Sequence, residues 1–366
     1  MRPTRRSLLV TGLVVGLAGC SPQTGPSPTS SPTPTPTPVP SPTPSPTPTP
    51  TPEPRSPLTG LVSTDPATLA RPAVAVKVPN LKVEQPQWGI EAADIVLVQP
   101  NGESTTRLVP IFQSRYPDAV GPVRSLRPAD VPLLSPIFPT LANTGAAGWV
   151  LNYVDAHSER IEKMTYLEFK KTGAFSVDKD RLYKSGGKTQ YDRAIQAHPA
   201  VMAEIATRAK APGHYLTFVP DAAASSAAGG APATSIAIPY GPAHKYDMSY
   251  TFDPASGRYL RSQPWGEHLL ADGTRVQADA VLIIAAEWEY GRIGEGSGAP
   301  DPVMELIDAE GEFTYATGGV CVHGRWTKGA IDEPFSFTTA AGDALLAAPG
   351  QTWIEFPRPT AEVTVA

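Results

Sequence analysis

From Ser21 to Ser56 the chain reads SPQTGPSPTSSPTPTPTPVPSPTPSPTPTPTPEPRS, with proline alternating with threonine or serine through most of it. Each proline fixes φ and removes an amide donor, so neither a helix nor a sheet ladder can run through this stretch. Extended polyproline II is the conformation left to it, and at about 3.1 Å per residue the tract reaches on the order of 100 Å. Whatever folds must fold behind it, and the tract reads as a stalk. Sugars on its threonines or docking to wall material are the other uses its composition allows.

Ahead of the stalk stands MRPTRRSLLVTGLVVGLAGC. Arg2, Arg5 and Arg6 make a basic start, Leu8 to Leu17 an apolar stretch too short for an ordinary spanning helix, and LAGC puts small residues before Cys20. This is the layout of an export signal with a bacterial lipobox, which predicts that Cys20 is lipidated and becomes the mature N-terminus. TRRSLL also resembles a twin-arginine signal, so the folded-export and general routes both stay open. A diacylglycerol together with an amide-linked chain is a two-anchor attachment that holds stably. The expected location is the extracytoplasmic face of the cell membrane, with the membrane as partner through the lipid on Cys20.

Removing Arg2, Arg5 and Arg6 with the signal takes the formal net charge from −5 to −8. An acidic chain without a lysine or arginine run predicts no nucleic-acid partner. The only other cysteine is Cys321, so acylation of Cys20 leaves no internal disulfide. In GGVCVHGRW, Cys321 and His323 share a face if the segment is a strand and could meet as nucleophile and base. A small buried apolar residue is the commoner role for such a cysteine.

The rest of the chain predicts an α+β protein. Its parts are the signal (1–20), the stalk (21–56), an N-terminal mixed α/β domain (57–220), a linker rich in alanine, serine and glycine (221–235) and a mostly antiparallel β domain (236–366). The last is expected to be a sandwich or partial barrel. PAVAVKV, DIVLVQ and LVPIFQS read as strands, GIEAAD as a helical turn, and a helix should restart at Pro199. In the second part YDMSYTF, AVLIIAAEWEY and VMELIDAEGEFTYATGGVCVHGRWTK alternate or run apolar between turns such as DPASG and ADG. Trp326 and Trp353 are expected in the core.

Two charged segments, NGESTTR and GPVRSLRPAD, follow or adjoin predicted strands and could bring Glu103, Arg107, Arg124, Arg127 and Asp130 together. The arginine fork suits carboxylate or phosphate. Arg107, Arg124 and Arg127, with Ser125, Thr106 and Asn80 as neutral hydrogen-bonding groups, are therefore the candidate binding residues. The alternative is that Glu103 and Asp130 satisfy the arginines and the loop is a rigid corner. No metal site or cofactor is expected. His157 and His198 lack ligand spacing, RLYKSGGKTQYD lacks the first glycine of a phosphate loop, and GRIGEGSG reads as a mobile loop.

SPLTGL, RPAVAVKVPN, QPQWGIEAADIVLVQPNGESTTRLVPIFQS, VGPVRSLRPAD and GRWTK with PGQTWIEF resemble the YerB-like family of bacterial lipoproteins, over nearly all the chain behind the stalk. The most specific element is TRLVPIFQS followed by GPVRSLRP. The resemblance implies two domains and a membrane-tethered location, but no reaction. Glu103, Thr106, Arg107, Arg124, Ser125 and Arg127 match the family. Gln99 stands where relatives usually carry an acid, and ANTGAAG (142–148) where they carry a histidine-glycine-glycine type segment.

Two function classes remain. One is a non-enzymatic envelope lipoprotein that holds an anionic or wall-derived ligand, or an envelope protein, at the arginine loop. The other is a wall-polymer hydrolase or transferase with Glu103 as general acid or base. The first is favoured because no nucleophile elbow, zinc signature or serine-lysine pair is present. The second needs another carboxylate within reach of Glu103 in an open cleft.

Overall fold

The computed structural model describes Gly25 and residues 53–102, 104–241 and 246–366. Cys20, most of the stalk and Glu103 lie outside the described residues. Among the described residues no helix is long and apolar enough to cross a membrane. Pro52–Ala366 form one compact unit.

Strands that are buried on both faces cannot alternate polar with apolar, and they read as unbroken apolar runs. Ile95–Pro100, Thr106–Phe112 and Ala280–Ile284 are of this kind, with every residue buried. They belong to one 12-stranded sheet. Its main path runs Ala231–Pro232, Val320–Lys328, Ala309–Thr317, Ala280–Ile284, Thr352–Glu355, Ile95–Pro100, Thr106–Phe112, Val74–Val76, Thr140–Asn143, Glu162–Thr165. Thr352–Glu355 lies parallel to both neighbours, with Trp353 opposite Val281 on one side and Val96 on the other. The sheet therefore continues unbroken between strands that precede and follow the 221–235 stretch. That stretch itself supplies Ala231–Pro232, paired with Val320 and Cys321.

A second, antiparallel sheet is built on Ser235–Ile238, Met248–Asp253 and Arg258–Gln263. It covers one face of the large sheet, where Ile236, Ile238, Met248, Tyr250 and Tyr259 share a core with Val96, Val98, Leu108, Ile283 and Trp353. On the opposite face the helices Asp130–Leu134 and Gly148–Asp155 bring Val131, Leu133, Trp149 and Val150 against Ile95, Leu97, Val109, Ile111 and Leu282. The fold is thus α+β with strands predominating. The sheet is mixed through the N-terminal half, antiparallel pairing prevails in the C-terminal half, and the sheets stay open. Trp326 and Trp353 are both buried, one in each core.

Pro199 occupies the first turn of the helix Pro199–Ile205, as expected, and GIEAAD forms the short turn Ile90–Ala92. GRIGEGSG departs from expectation because it is docked. The Trp149 amide donates to Ser297 O at 3.3 Å, Trp149 Nε1 to Ala299 O at 2.9 Å and Asn152 Nδ2 to Glu295 O at 3.3 Å. A Cβ on Gly296 would stand 2.6 Å from Trp149 Cα, so glycine here permits close approach rather than mobility.

A buried polar network joins the two sheets. Glu355 accepts from Tyr240 at 2.7 Å and Tyr250 at 2.5 Å, and Arg261 Nη2 lies 3.6 Å away. Arg261 also donates to His268 Nδ1 at 2.9 Å, and its guanidinium lies 4.7 Å from the Trp353 ring centre. Because arginine only donates, Nδ1 must accept, and Nε2 carries the proton given to Gln87 Oε1 at 3.1 Å. Burial, then Arg261 and Arg275, hold the imidazole well below its ordinary 6.5. The unfolded chain takes up that proton near pH 6.5 and the native chain refuses it. Stability is therefore full above pH 6.5 and falls as pH drops below it, by at most about 1.4 kcal/mol per unit from this group. Melting temperature measured between about pH 7 and 5 should fall, and His268→Gln should remove that part of the slope. An unchanged slope in the variant would show that His268 is not held neutral.

Candidate anion-binding site

Lys77, Gln99 and Arg107 end three neighbouring strand segments and share the parity of the helix-covered face. Gln99 and Arg107 are opposed in register, and Lys77 follows Val74–Val76. Over them sits Asp130, at the start of the helix Asp130–Leu134. Its Oδ1 pairs with Lys77 Nζ, both side chains fully buried, and accepts from Gln99 Nε2 at 2.7 Å. Its Oδ2 takes the Arg127 amide at 2.8 Å. Burial pulls Lys77 down to about 8, and Arg107 and Arg127 add to the pull, while Asp130 opposes it.

Backbone bonds fix the loop that carries the arginines. Arg124 N donates to Lys77 O at 2.8 Å, Thr144 N to Arg124 O at 3.0 Å and Leu126 N to Gly145 O at 2.9 Å. GPVRSLRPAD is therefore a rigid corner, and the corner presents side chains. Arg124 Nε meets Glu84 Oε1 at 2.8 Å, and Arg127 Nε meets Asn101 Oδ1 at 2.9 Å and Asp301 Oδ1 at 3.2 Å. The Arg124 side chain is 28% exposed and that of Arg127 16%. Burial raises both Glu84 and Asp301 from the ordinary carboxylate range, against the neighbouring arginines.

Arg107 differs from the other two. It is 3% exposed, its Nη1 donates to Ser125 O at 3.1 Å, and its Nε has no partner among the described residues. No carboxylate among the described residues pairs with it. Burial and then the like charges of Arg127 and Arg124 push its guanidinium well below the usual arginine value. An arginine keeps its proton at neutral pH. The nearby charges of Glu84 and Asp130 offset only part of the shift.

The sequence grouping needs correction in two places. Arg124 and Arg127 are answered by Glu84 and Asp301, while the Asp130 carboxylate holds Lys77. Thr106 and Asn80 face the other side of the sheet, because alternation along Thr106–Phe112 sends Thr106 away from Arg107. There Asn80 Nδ2 donates to Thr106 Oγ1 at 2.7 Å and Gln263 Nε2 donates to Asn80 Oδ1 at 2.6 Å. Both residues are buried and serve this amide network. Ser125 stays with the arginines, through its carbonyl. Lys77, Glu84 and Asp301 were not foreseen, and Gln99 was noted only as standing where relatives carry an acid. Only Lys77, a charge at a core-parity position in PAVAVKV, carried a signal.

Cys321 and His323 do meet, Sγ to Nε2 at 3.6 Å, with His323 Nδ1 2.8 Å from Thr314 Oγ1, at the wall of a cavity of about 440 Å³. Burial raises the thiol's pKa, away from the thiolate a nucleophile needs. Among the described residues no group of three His, Cys, Asp or Glu is placed to hold a metal ion.

Lys77→Met strands a buried aspartate and should lower the unfolding free energy by about 3–5 kcal/mol in chemical denaturation. Thr106→Val should cost about 1–3 kcal/mol by unpairing Asn80. A Thr106→Val protein of unchanged stability would contradict the placement of Thr106 in the amide network.

The model of "Protein of unknown function (DUF3048) N-terminal domain" matches residues 58–209, and that of the corresponding C-terminal domain matches residues 236–354. A stretch of 73 residues is 47% identical to "Putative lipoprotein YerB" of Bacillus subtilis (strain 168). It covers 20% of this chain and spans 22% of that relative's length. The crystal structure of YerB protein from Bacillus subtilis matches with a TM-score of 0.66 at 22% identity, over 85% of this chain and 99% of that one, which shows a shared fold. With the two domain models falling on the two halves of one YerB-like fold, the chain belongs to the YerB-like DUF3048 family.

Proposed function

We propose that this protein is a lipid-anchored, extracytoplasmic binding protein of the cell envelope that takes an anionic ligand at Arg124 and Arg127. The observation that carries the reading is Arg107, a buried guanidinium without a paired acid among the described residues, held to the Ser125 carbonyl between the half-buried Arg124 and Arg127. Arg124 Nε forms an ion pair with Glu84 without hydrogen-bond geometry, and no hydrogen bond of its Nη groups is seen among the described residues. A fork held at one edge and open at the other is suited to bidentate contact with phosphate or carboxylate. An anion there would relieve the mutual repulsion of three arginines. Binding is favoured over catalysis because Asp130, Glu84 and Asp301 are each engaged by a cation. The lipid anchor is supported by LAGC ending at Cys20 and by the lipoprotein name of the relative.

Two measurements test this. Cys20→Ser should move the protein from the membrane fraction to the soluble fraction, and a variant that stays membrane-bound would sink the anchor. Inorganic phosphate should raise the wild-type melting temperature and fail to raise that of Arg124→Ala, with the unliganded variant melting within a few degrees of wild type. Equal shifts in both proteins would remove Arg124 from the site.

A further inference from the structure

We infer that the anion site continues along the surface as a row of guanidinium groups, and that its ligand is a linear polymer of phosphate rather than a single small anion. This rests on the anion-binding reading above. Its own basis is the segment 179–193, which the arginine loop does not include.

That segment carries Lys179, Arg181, Lys184, Lys188 and Arg193 against Asp180 and Asp192, in a chain of net charge −5. It forms a hairpin, Tyr183–Ser185 paired with Lys188–Gln190. Gly186 and Gly187 make its turn at φ of 57° and 74°, which glycine accepts without strain. Lys184 and Lys188 are exposed. The root of the hairpin is tied to the turn that supplies Glu84. Arg181 Nη2 donates to Glu84 O at 3.1 Å and Gln85 O at 3.0 Å, and its guanidinium lies 4.3 Å from the Trp88 ring centre. Arg193 stacks on Tyr183 at 4.2 Å, and Tyr183 donates to Asp192 Oδ2 at 3.1 Å. Glu84 feels the charges of Arg124, Arg107 and Arg193, and Tyr183 those of Arg193 and Arg124, which sets the hairpin beside the arginine loop.

Arg124 and Arg193 both neighbour Glu84, with Arg127 on the same loop as Arg124, while Arg181, whose Nη1 donates to Pro86 O, is spent on backbone carbonyls and anchors the root of the hairpin. Each is steadied by an acid, a carbonyl or a ring, and the exposed lysines of the hairpin extend the row. One small anion on Arg124 and Arg127 reaches none of Arg193, Lys184 and Lys188, whereas a chain of repeating phosphates can engage each in turn. The aromatic rings along the row already carry guanidinium groups, so the contact is with oxyanions rather than with stacked bases.

The test compares inorganic polyphosphate with orthophosphate on the full chain. By analogy with single-stranded nucleic acid, each contact contributes about 0.7 to the log–log salt slope. Five contacts, from Arg124, Arg127, Arg193, Lys184 and Lys188, then cost about 130-fold in polyphosphate affinity between about 50 and 200 mM salt, and Arg193→Ala reduces that loss to about 50-fold. Orthophosphate affinity, which depends on Arg124 and Arg127, should not change in Arg193→Ala or in Lys184→Ala/Lys188→Ala, while polyphosphate affinity falls in both. Orthophosphate binding with polyphosphate no tighter, or polyphosphate affinity indifferent to both variants at unchanged melting temperature, overturns the polymer while leaving the anion site standing. Failure of wild type to bind either probe overturns both readings.

Discussion

The parallel insertion of Thr352–Glu355 between Ala280–Ile284 and Ile95–Pro100 is the pairing on which the rest of the structure depends. It turns two sets of strands, far apart in the chain, into one sheet. A sheet with parallel strands at its centre is stable only when both faces are covered. The antiparallel sheet covers one face and the short helices the other, so neither half of the chain buries its core without the other. Ile354 faces the helices, while Trp353 and Glu355 face the second sheet, where Arg261 and two tyrosines receive the carboxylate.

The candidate site inherits this composite character. Lys77, Gln99 and Arg107 come from N-terminal strands, Asp130 from the helix above them, and Asp301 from a strand of the C-terminal half that reaches back to Arg127. Two kinds of buried charge lie side by side there. The Lys77–Asp130 pair is closed, since each group of the carboxylate is used, and it gives the site its shape. Arg107 is open, a buried cation with no carboxylate paired to it among the described residues, its charge offset only at a distance by Glu84 and Asp130.

Much of the fold was legible because burial writes itself into strand composition. IVLV and AVLII read as buried strands, and Pro199 as the first turn of a helix. Charge pairing was not legible, because the choice of Glu84 for Arg124 and Asp301 for Arg127 is made by chain segments remote in sequence, with no local signal. Thr106 is a different case. The alternation that places Arg107 under the corner places Thr106 behind the sheet, so the information was in the strand, and grouping by proximity in sequence overrode it. The glycines of GRIGEGSG likewise read as freedom of motion, when what they permit is contact with Trp149.

The position of Thr352–Glu355 also governs when the sheet can close. As the chain emerges from synthesis, Ile95–Pro100 finds Thr106–Phe112 at once, but its other edge stays open until Thr352 arrives. Ala280–Ile284 waits for the same strand. Pairings this distant in sequence are slow to form, and an open apolar strand edge is a template for neighbouring chains. A chain that loses its last short stretch would therefore expose two such edges at the middle of the molecule, and its fate would be aggregation rather than the loss of one domain.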